Sequence, residues 1–148
     1  MNPWDIRAAL LAKHAQHVVL IHFPIALFLT GVALDVAATL TRRKDLAVAA
    51  YYNLTFAALS ALPAAVTGLL AWRWELEGRR LKGILLLHLL AGCASLVLML
   101  IVWWLHAGTR RQPDKKLPGF RWPLEAVAVL FVTLTGHLGG FLSGVNHP

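Results

Sequence analysis

Five of the seven histidines in this 148-residue chain fall where the ends of apolar stretches would meet at one face of a membrane. They are His14, His17, His22, His88 and His137. An ionisable side chain at membrane depth is costly, so a layer of such side chains predicts a functional site. Imidazole nitrogens can bind haem iron, copper or zinc, and they can also hydrogen-bond a quinone.

Four apolar stretches would position this layer, and each holds about 20 mostly apolar residues, enough to cross a ~30 Å hydrocarbon core as a helix. We place the spans at about residues 18–40, 47–72, 83–105 and 123–142. Four crossings return the chain to its starting side, which puts all five histidines at the same end. The sequence therefore predicts an all-α integral membrane protein, a single up-down four-helix bundle over residues 1–148 with a short interfacial helix at residues 4–13.

Composition and charge narrow the class of function. The chain is 58% hydrophobic, and its net charge of +7 comes from short basic clusters beside the spans, which is typical of topology signals and not of nucleic-acid binding. The first and third loops hold eight Lys and Arg against six on the opposite side. The positive-inside rule then predicts that the first and third loops are cytoplasmic and that both termini face the periplasm or the exterior. No hydrolase or nucleotide motif is present, so hydrolase and nucleotide chemistry are not expected and no catalytic residue is assigned.

His22 and His88 are the pair that we expect to hold a haem iron. His22 lies beside Pro24, which loosens the local helix, and His88 lies in a run of leucines where it needs a partner or a cavity. The two histidines share a depth on the first and third helices, which are diagonal in an up-down bundle. Two opposed imidazoles at one level can clamp a b-type haem.

Four further residues complete the haem hypothesis. Gly92, one turn after His88, leaves a bare helix surface, which suits a flat macrocycle and close helix packing equally. Arg79 and Arg80 could receive the haem propionates through charge-assisted hydrogen bonds. His137, surrounded by three glycines, could replace either axial ligand, serve a second haem or bond a quinone.

Two alternatives stay open for the histidine layer. The histidines could only pack and hydrogen-bond in a non-catalytic accessory subunit of a larger membrane electron-transfer assembly. Alternatively, three of them could form a periplasm-facing copper or zinc site. On their own, His14 and His17 are expected to be interfacial.

Polar residues outside the layer are expected at helix ends. Asp35 should pair with Arg42 or Arg43, with a part in a proton path as its functional alternative. By the same reasoning, Glu125 should pair with Arg121. His106 is expected to lie at the other membrane surface. No internal repeat is evident, although the two hairpins have similar lengths.

The run His22-Phe23-Pro24-Ile25-Ala26-Leu27, followed by Asp35, resembles a widespread bacterial family of four-helix predicted membrane proteins of unassigned function. The same resemblance is carried by residues 62–72, by His88 at the head of the third helix, and by Gly-His-Leu-Gly-Gly at residues 136–140; it covers residues 17–144. In some relatives a similar domain accompanies c-type cytochromes, which implies respiratory electron transfer. Members often carry an acid where this chain has Ala71.

These observations lead to one hypothesis for the function. The chain would be a haem-b-binding subunit of a bacterial redox complex that passes electrons between a periplasmic partner and quinone. The expected cofactors are one haem b, or two, with quinone as the membrane-soluble partner. The expected partners are membrane lipid and other subunits of the complex, a c-type cytochrome among them.

Overall fold

The computed structural model describes residues 13–74, 76–78, 80–111 and 117–144, without the side chains of residues 13–15. Within these ranges the chain is helical and forms no strand. The helices are α1 (Lys13–Leu20), α2 (His22–Thr41), α3 (Lys44–Trp74), α4 (Gly83–Arg111) and α5 (Arg121–Leu142). The interfacial helix predicted at residues 4–13 lies almost entirely outside the described residues.

Four helical stretches are long and apolar enough to cross a membrane, which confirms the predicted all-α, four-span fold. They are Gln16–Thr41, Lys44–Trp74, Gly83–Arg111 and Arg121–Leu142. The first combines most of α1 with α2, which meet at a single turn residue, Ile21. The third of these helices, α4, ends at Arg111 and not near residue 105, and the fourth, α5, begins at Arg121 and not at residue 123. Both differences draw polar side chains into the bundle.

Short connections force neighbouring helices to run antiparallel. Helix α2 ends at Thr41 and is followed by Arg42, whose φ of 56° is the left-handed conformation that commonly terminates a helix. Only Arg42 and Arg43 separate α2 from α3. A connection this short makes α3 run antiparallel to α2 and pack along it, so the two helices form a hairpin.

The four long helices close into a ring in which α3 packs on α2 and α4, and α5 packs on α4 and α2. Helices α2 and α4 therefore take diagonal positions, as up-down threading requires. The core that the four helices share includes Phe28, Leu54, Met99 and Val102. Close approach of α2 to α3 depends on Gly31, because a Cβ there would lie 2.9 Å from the Leu54 side chain.

The two hairpins repeat each other at an interval of 71 residues. In the first, His17 Nδ1 lies 3.1 Å from the carbonyl oxygen of Ala64; in the second, His88 Nδ1 lies 3.1 Å from that of Thr135. His88 follows His17 by 71 residues, and Thr135 follows Ala64 by the same interval. Both hairpins cross the membrane in the same sense, so they form a parallel repeat about an axis along the membrane normal.

Eight pairs of buried residues keep the same interval along both hairpins. The buried residues Pro24, Phe28, Gly31 and Asp35 of α2 correspond to Ser95, Met99, Val102 and His106 of α4, and Ala50, Leu54, Ala57 and Ala61 of α3 correspond to Arg121, Glu125, Ala128 and Val132 of α5, every one of them buried. Among these eight pairs, only Ala57 and Ala128 have the same residue type. The sequence therefore shows no repeat of residue types, whereas the structure does repeat the positions that are buried.

Candidate functional site

Three histidines of the layer use the same ring nitrogen in the same way. The Nδ1–oxygen distances are 3.1 Å from His17 to Ala64, 2.7 Å from His22 to Val18 and 3.1 Å from His88 to Thr135. Since a carbonyl oxygen can only accept, Nδ1 carries the proton, and the ring lone pair of the neutral imidazole lies on Nε2. Histidines that bind metals are commonly held in this way, with one ring nitrogen bonded to a carbonyl and the other on the metal.

Glycines on the facing helices let two of these rings lie between helices. A Cβ at Gly68 would lie 2.9 Å from His17 Cε1, and one at Gly139 would lie 3.2 Å from His88 Cε1. His17 therefore ties α1 to α3, and His88 ties α4 to α5. Although we expected His17 to be interfacial, its side chain is half-buried against α3.

The other two described members of the layer lie on the outside of the bundle. His22 is exposed, and its Nδ1 bonds a carbonyl of the preceding helical turn. His137 is exposed and meets Phe141 edge to face, with ring centroids 5.0 Å apart. The two histidines lie on adjacent helices, because Gly136 faces Ile25 where α5 meets α2.

The remaining predicted site residues do not converge on one point. Gly92 faces the methyl group of Thr135, so its bare surface serves helix packing here. Arg80 is exposed in the second loop, and Arg79 lies outside the described residues. Among the side chains that the structure describes, no three histidines bring ring nitrogens within 4.8 Å of one another. The predicted copper or zinc site is thus not assembled from these residues.

A cluster of buried charged residues lies at the opposite end of the bundle. Arg121 Nε donates to Asp35 Oδ2 over 3.0 Å, and Arg121 Nη2 donates to Thr39 Oγ1 over 2.9 Å. The predicted pairing of Asp35 with Arg42 or Arg43 is therefore wrong. Arg43 instead donates to the exposed Asp45. Because α5 begins at Arg121, this side chain enters the bundle instead of the loop.

The second buried pair joins α4 to α5. His106 Nε2 lies 3.0 Å from Glu125 Oε1, and both side chains are almost fully buried. The expected pairing of Glu125 with Arg121 is wrong, whereas the membrane depth expected for His106 stays a prediction. Helix α4 continues to Arg111, so His106 still lies inside the bundle.

Three of these residues, Asp35, His106 and Glu125, form what we call the carboxylate–histidine cluster. One oxygen or nitrogen of each lies within 4.8 Å of the others, and the residues come from α2, α4 and α5. Asp35 and His106 occupy equivalent positions of the two repeats. A cavity of about 160 Å³ borders both of them and reaches Arg110 near the end of α4.

Neither a search of curated proteins nor a search of solved structures finds a match. Residues 13–146 match the family described as "Predicted membrane protein (DUF2231)". The match spans nearly all of the chain and agrees with the resemblance carried by the His-Phe-Pro and Gly-His-Leu-Gly-Gly runs. The chain therefore belongs to the DUF2231 family of predicted membrane proteins.

Proposed function

We propose that the chain is a haem-b-binding subunit of a bacterial redox complex, passing electrons between a periplasmic partner and quinone. The observation that carries this proposal is the shared tautomer of His22 and His88. Each donates Nδ1–H to a backbone carbonyl, which leaves the Nε2 lone pair as the ligand that haem iron requires. A bound haem would supply a one-electron carrier, and the protein would set its position and surroundings.

The placement of the two histidines bears on how they would act. His22 and His88 come from the diagonal helices α2 and α4 near the same end of the bundle. His22 is exposed on the outside of the bundle, so its ring would have to turn to meet a haem shared with His88. Its bond is to Val18 of the same span, so this turn breaks no contact with another span. His88 is held more firmly, since its bond spans α4 and α5. The repeat adds His17 as an alternative ligand, because its position and Nδ1 bond are equivalent to those of His88.

Two more residues would serve electron transfer from exposed positions. Arg80 lies in the second loop at the same end as the histidines, where its guanidinium can bind a propionate. His137 is exposed on α5 beside Phe141, so a ligand that diffuses in the bilayer can reach its imidazole. Hydrogen bonding to a quinone headgroup is the role that we assign to it.

For the orientation, we place the chain in the inner membrane with both termini in the periplasm. The excess of Lys and Arg that supports this orientation is smaller than the sequence indicates, because Arg121 is buried with Asp35 and no longer counts as a loop charge. The basic residues then divide seven to six in favour of this orientation. A periplasmic histidine layer would face a c-type cytochrome or another periplasmic donor.

A non-catalytic accessory subunit is the competing function, and one observation favours it. The bonds of His17 and His88 already join helices, a role that needs no cofactor. Interhelical bonds of this kind are worth about 0.6 kcal/mol on average in membranes. They would account for the two histidines as packing residues.

An optical spectrum of the purified protein in detergent separates the two functions. We expect a dithionite-reduced α-band and one haem per chain in the wild type. His88→Leu should lose the haem while still inserting in the membrane, and His22→Leu and His17→Leu should identify the second ligand. Cys93→Ala is the matched control, because Cys93 is exposed and is the repeat equivalent of His22. A colourless wild type, produced with ample haem supply, would favour the accessory subunit.

A further inference from the structure

We propose that the carboxylate–histidine cluster, formed by Asp35, His106 and Glu125, binds a divalent first-row transition-metal ion. The site lies at the end of the bundle away from the histidine layer and is independent of the proposed haem. It offers one imidazole nitrogen and two carboxylate oxygens from three helices. This donor set suits Zn²⁺, Mn²⁺ or Fe²⁺, because imidazole favours the first and third and carboxylate favours the second.

The spacing of the ligand atoms is close to that of an occupied site. One donor atom of each residue lies within 4.8 Å of the other two, and His106 Nε2 is only 3.0 Å from Glu125 Oε1. In tetrahedral or octahedral coordination, neighbouring donors that each lie about 2.0–2.2 Å from one ion are about 2.8–3.6 Å apart. Side-chain shifts of about 1 Å would therefore bring all three donors onto one ion.

An unpartnered oxygen provides the independent sign that a ligand belongs here. The Glu125 side chain is 2% exposed, and its Oε2 has no hydrogen-bond partner among the described residues. A buried carboxylate oxygen without a partner is costly, so native structures rarely keep one unless something else satisfies it. A cation bound between Glu125 and His106 would do so; it would take the Nε2 lone pair of the neutral His106 ring, whose single proton then lies on Nδ1.

Charge and orientation in the cluster are set by Arg121. Its Nε donates to Asp35 Oδ2, which leaves Asp35 Oδ1 to bind an ion. Carboxylates that bind metals are commonly oriented by a hydrogen bond of this kind. With His106 neutral, two carboxylates and one guanidinium leave a net charge of minus one inside the bundle. A bound cation offsets that charge.

The adjoining cavity completes the coordination. Its volume of about 160 Å³ borders Asp35 and His106 and extends past Tyr51 and Thr109 to Arg110. Several water molecules fit in such a volume, and its lining offers polar partners for them. Three protein ligands with water in the open positions is the arrangement of reactive metal sites, whereas purely structural sites are closed by four protein ligands.

The test uses the whole protein, stripped of metal with EDTA in detergent, and Co²⁺ as a spectroscopic probe. We expect saturable binding of one Co²⁺ per chain with visible d–d absorption, displaced by Zn²⁺. Glu125→Gln, Asp35→Asn and His106→Gln should each weaken binding about 100-fold or more. Glu77→Gln removes an exposed carboxylate in the second loop and is the matched control, with unchanged affinity.

Two readouts keep the proposal falsifiable if a variant folds poorly. Zn²⁺ should raise the unfolding temperature of the wild type with its concentration, because an ion bound only by the folded state stabilises that state. This increase needs no variant. Absence of a saturable one-to-one Co²⁺ signal in the wild type would overturn the proposal. So would folded Glu125→Gln, Asp35→Asn and His106→Gln proteins that all bind Co²⁺ as the wild type does.

Discussion

The buried pair of Asp35 and Arg121 allows a quantitative test of the fold. Asp35→Leu removes the carboxylate but leaves the guanidinium, whose side chain is only 10% exposed. Breaking a buried ion pair by removing one partner costs about 3–5 kcal/mol. Arg121 keeps its bond to Thr39 and its position 4.0 Å above the Trp122 ring, so we expect the lower end, about 3 kcal/mol.

The double variant shows whether the loss comes from the unpaired charge. Asp35→Leu combined with Arg121→Met replaces the pair by apolar side chains, an exchange that is often neutral for buried pairs. We expect it to recover most of the stability lost in the single variant. Asp45→Ala is the control, because it breaks an ion pair with Arg43 whose side chains are more than half exposed. Water and salt screen such a pair, and no measurable loss is expected.

Reversible unfolding in mixed detergent and SDS micelles, followed by circular dichroism, measures these free energies. EDTA in every sample keeps metal binding out of the comparison. Equal stability of Asp35→Leu and Asp45→Ala would contradict this expectation, because Arg121 then finds water in place of its partner. A double variant no more stable than Asp35→Leu would also contradict it, because the loss then reflects packing.

Three further outcomes are expected. Gly31→Ala should cost about 1–3 kcal/mol in the same unfolding assay, since its Cβ would lie 3.2 Å from a backbone nitrogen of α3 that cannot move aside; Gly108→Ala, with nothing within 4 Å, should cost none. In a cysteine-free background, Lys82→Cys should react with an impermeant thiol reagent outside intact cells and Arg43→Cys should not; the reverse pattern would invert the orientation. His137→Ala should keep the haem but slow quinol-coupled haem reduction, and an unchanged rate would remove His137 from the quinone site.

The four spans could be predicted because the bilayer imposes a direct demand on the sequence. Every backbone polar group in the hydrocarbon core must be bonded within its own segment, so a long apolar run has to be a helix. Two-residue turns and short loops then fix the antiparallel order of the helices. Neither step requires knowledge of which side chains meet, and for that reason the fold follows from hydropathy and length alone.

The buried charges were missed for a related reason. A hydropathy pattern marks where apolar residues stop, and helix α4 continues beyond that point to Arg111. His106 therefore lies among the helices, a burial that the hydropathy pattern does not indicate. One signal was available: Arg121 and Glu125 are four residues apart and so share a helix face at the depth of His106 and Asp35. Which acid meets which base still depends on helix rotation, which periodicity does not fix.

The histidine layer was predicted only as a set of residues at one end. Pairing each ring with its carbonyl depends on glycines of the opposite helix, at Gly68 and Gly139, which the sequence shows without indicating what they face. The repeat would have linked the two glycines. It is hidden because equivalent positions hold different residues, such as Leu54 and Glu125.

The 71-residue interval bears on how such a bundle could have arisen. Two copies of one hairpin, related by a two-fold axis, would bury the same side chain at both equivalent positions. Two aspartates or two histidines would then face each other at the place where Asp35 and His106 now lie. Joining the copies in one gene releases each half to mutate alone, so an acid and a base can meet at a former symmetry axis. The cluster of unlike charges is thus a chemistry that duplication and fusion make accessible at positions where a symmetric dimer of hairpins would hold two identical side chains.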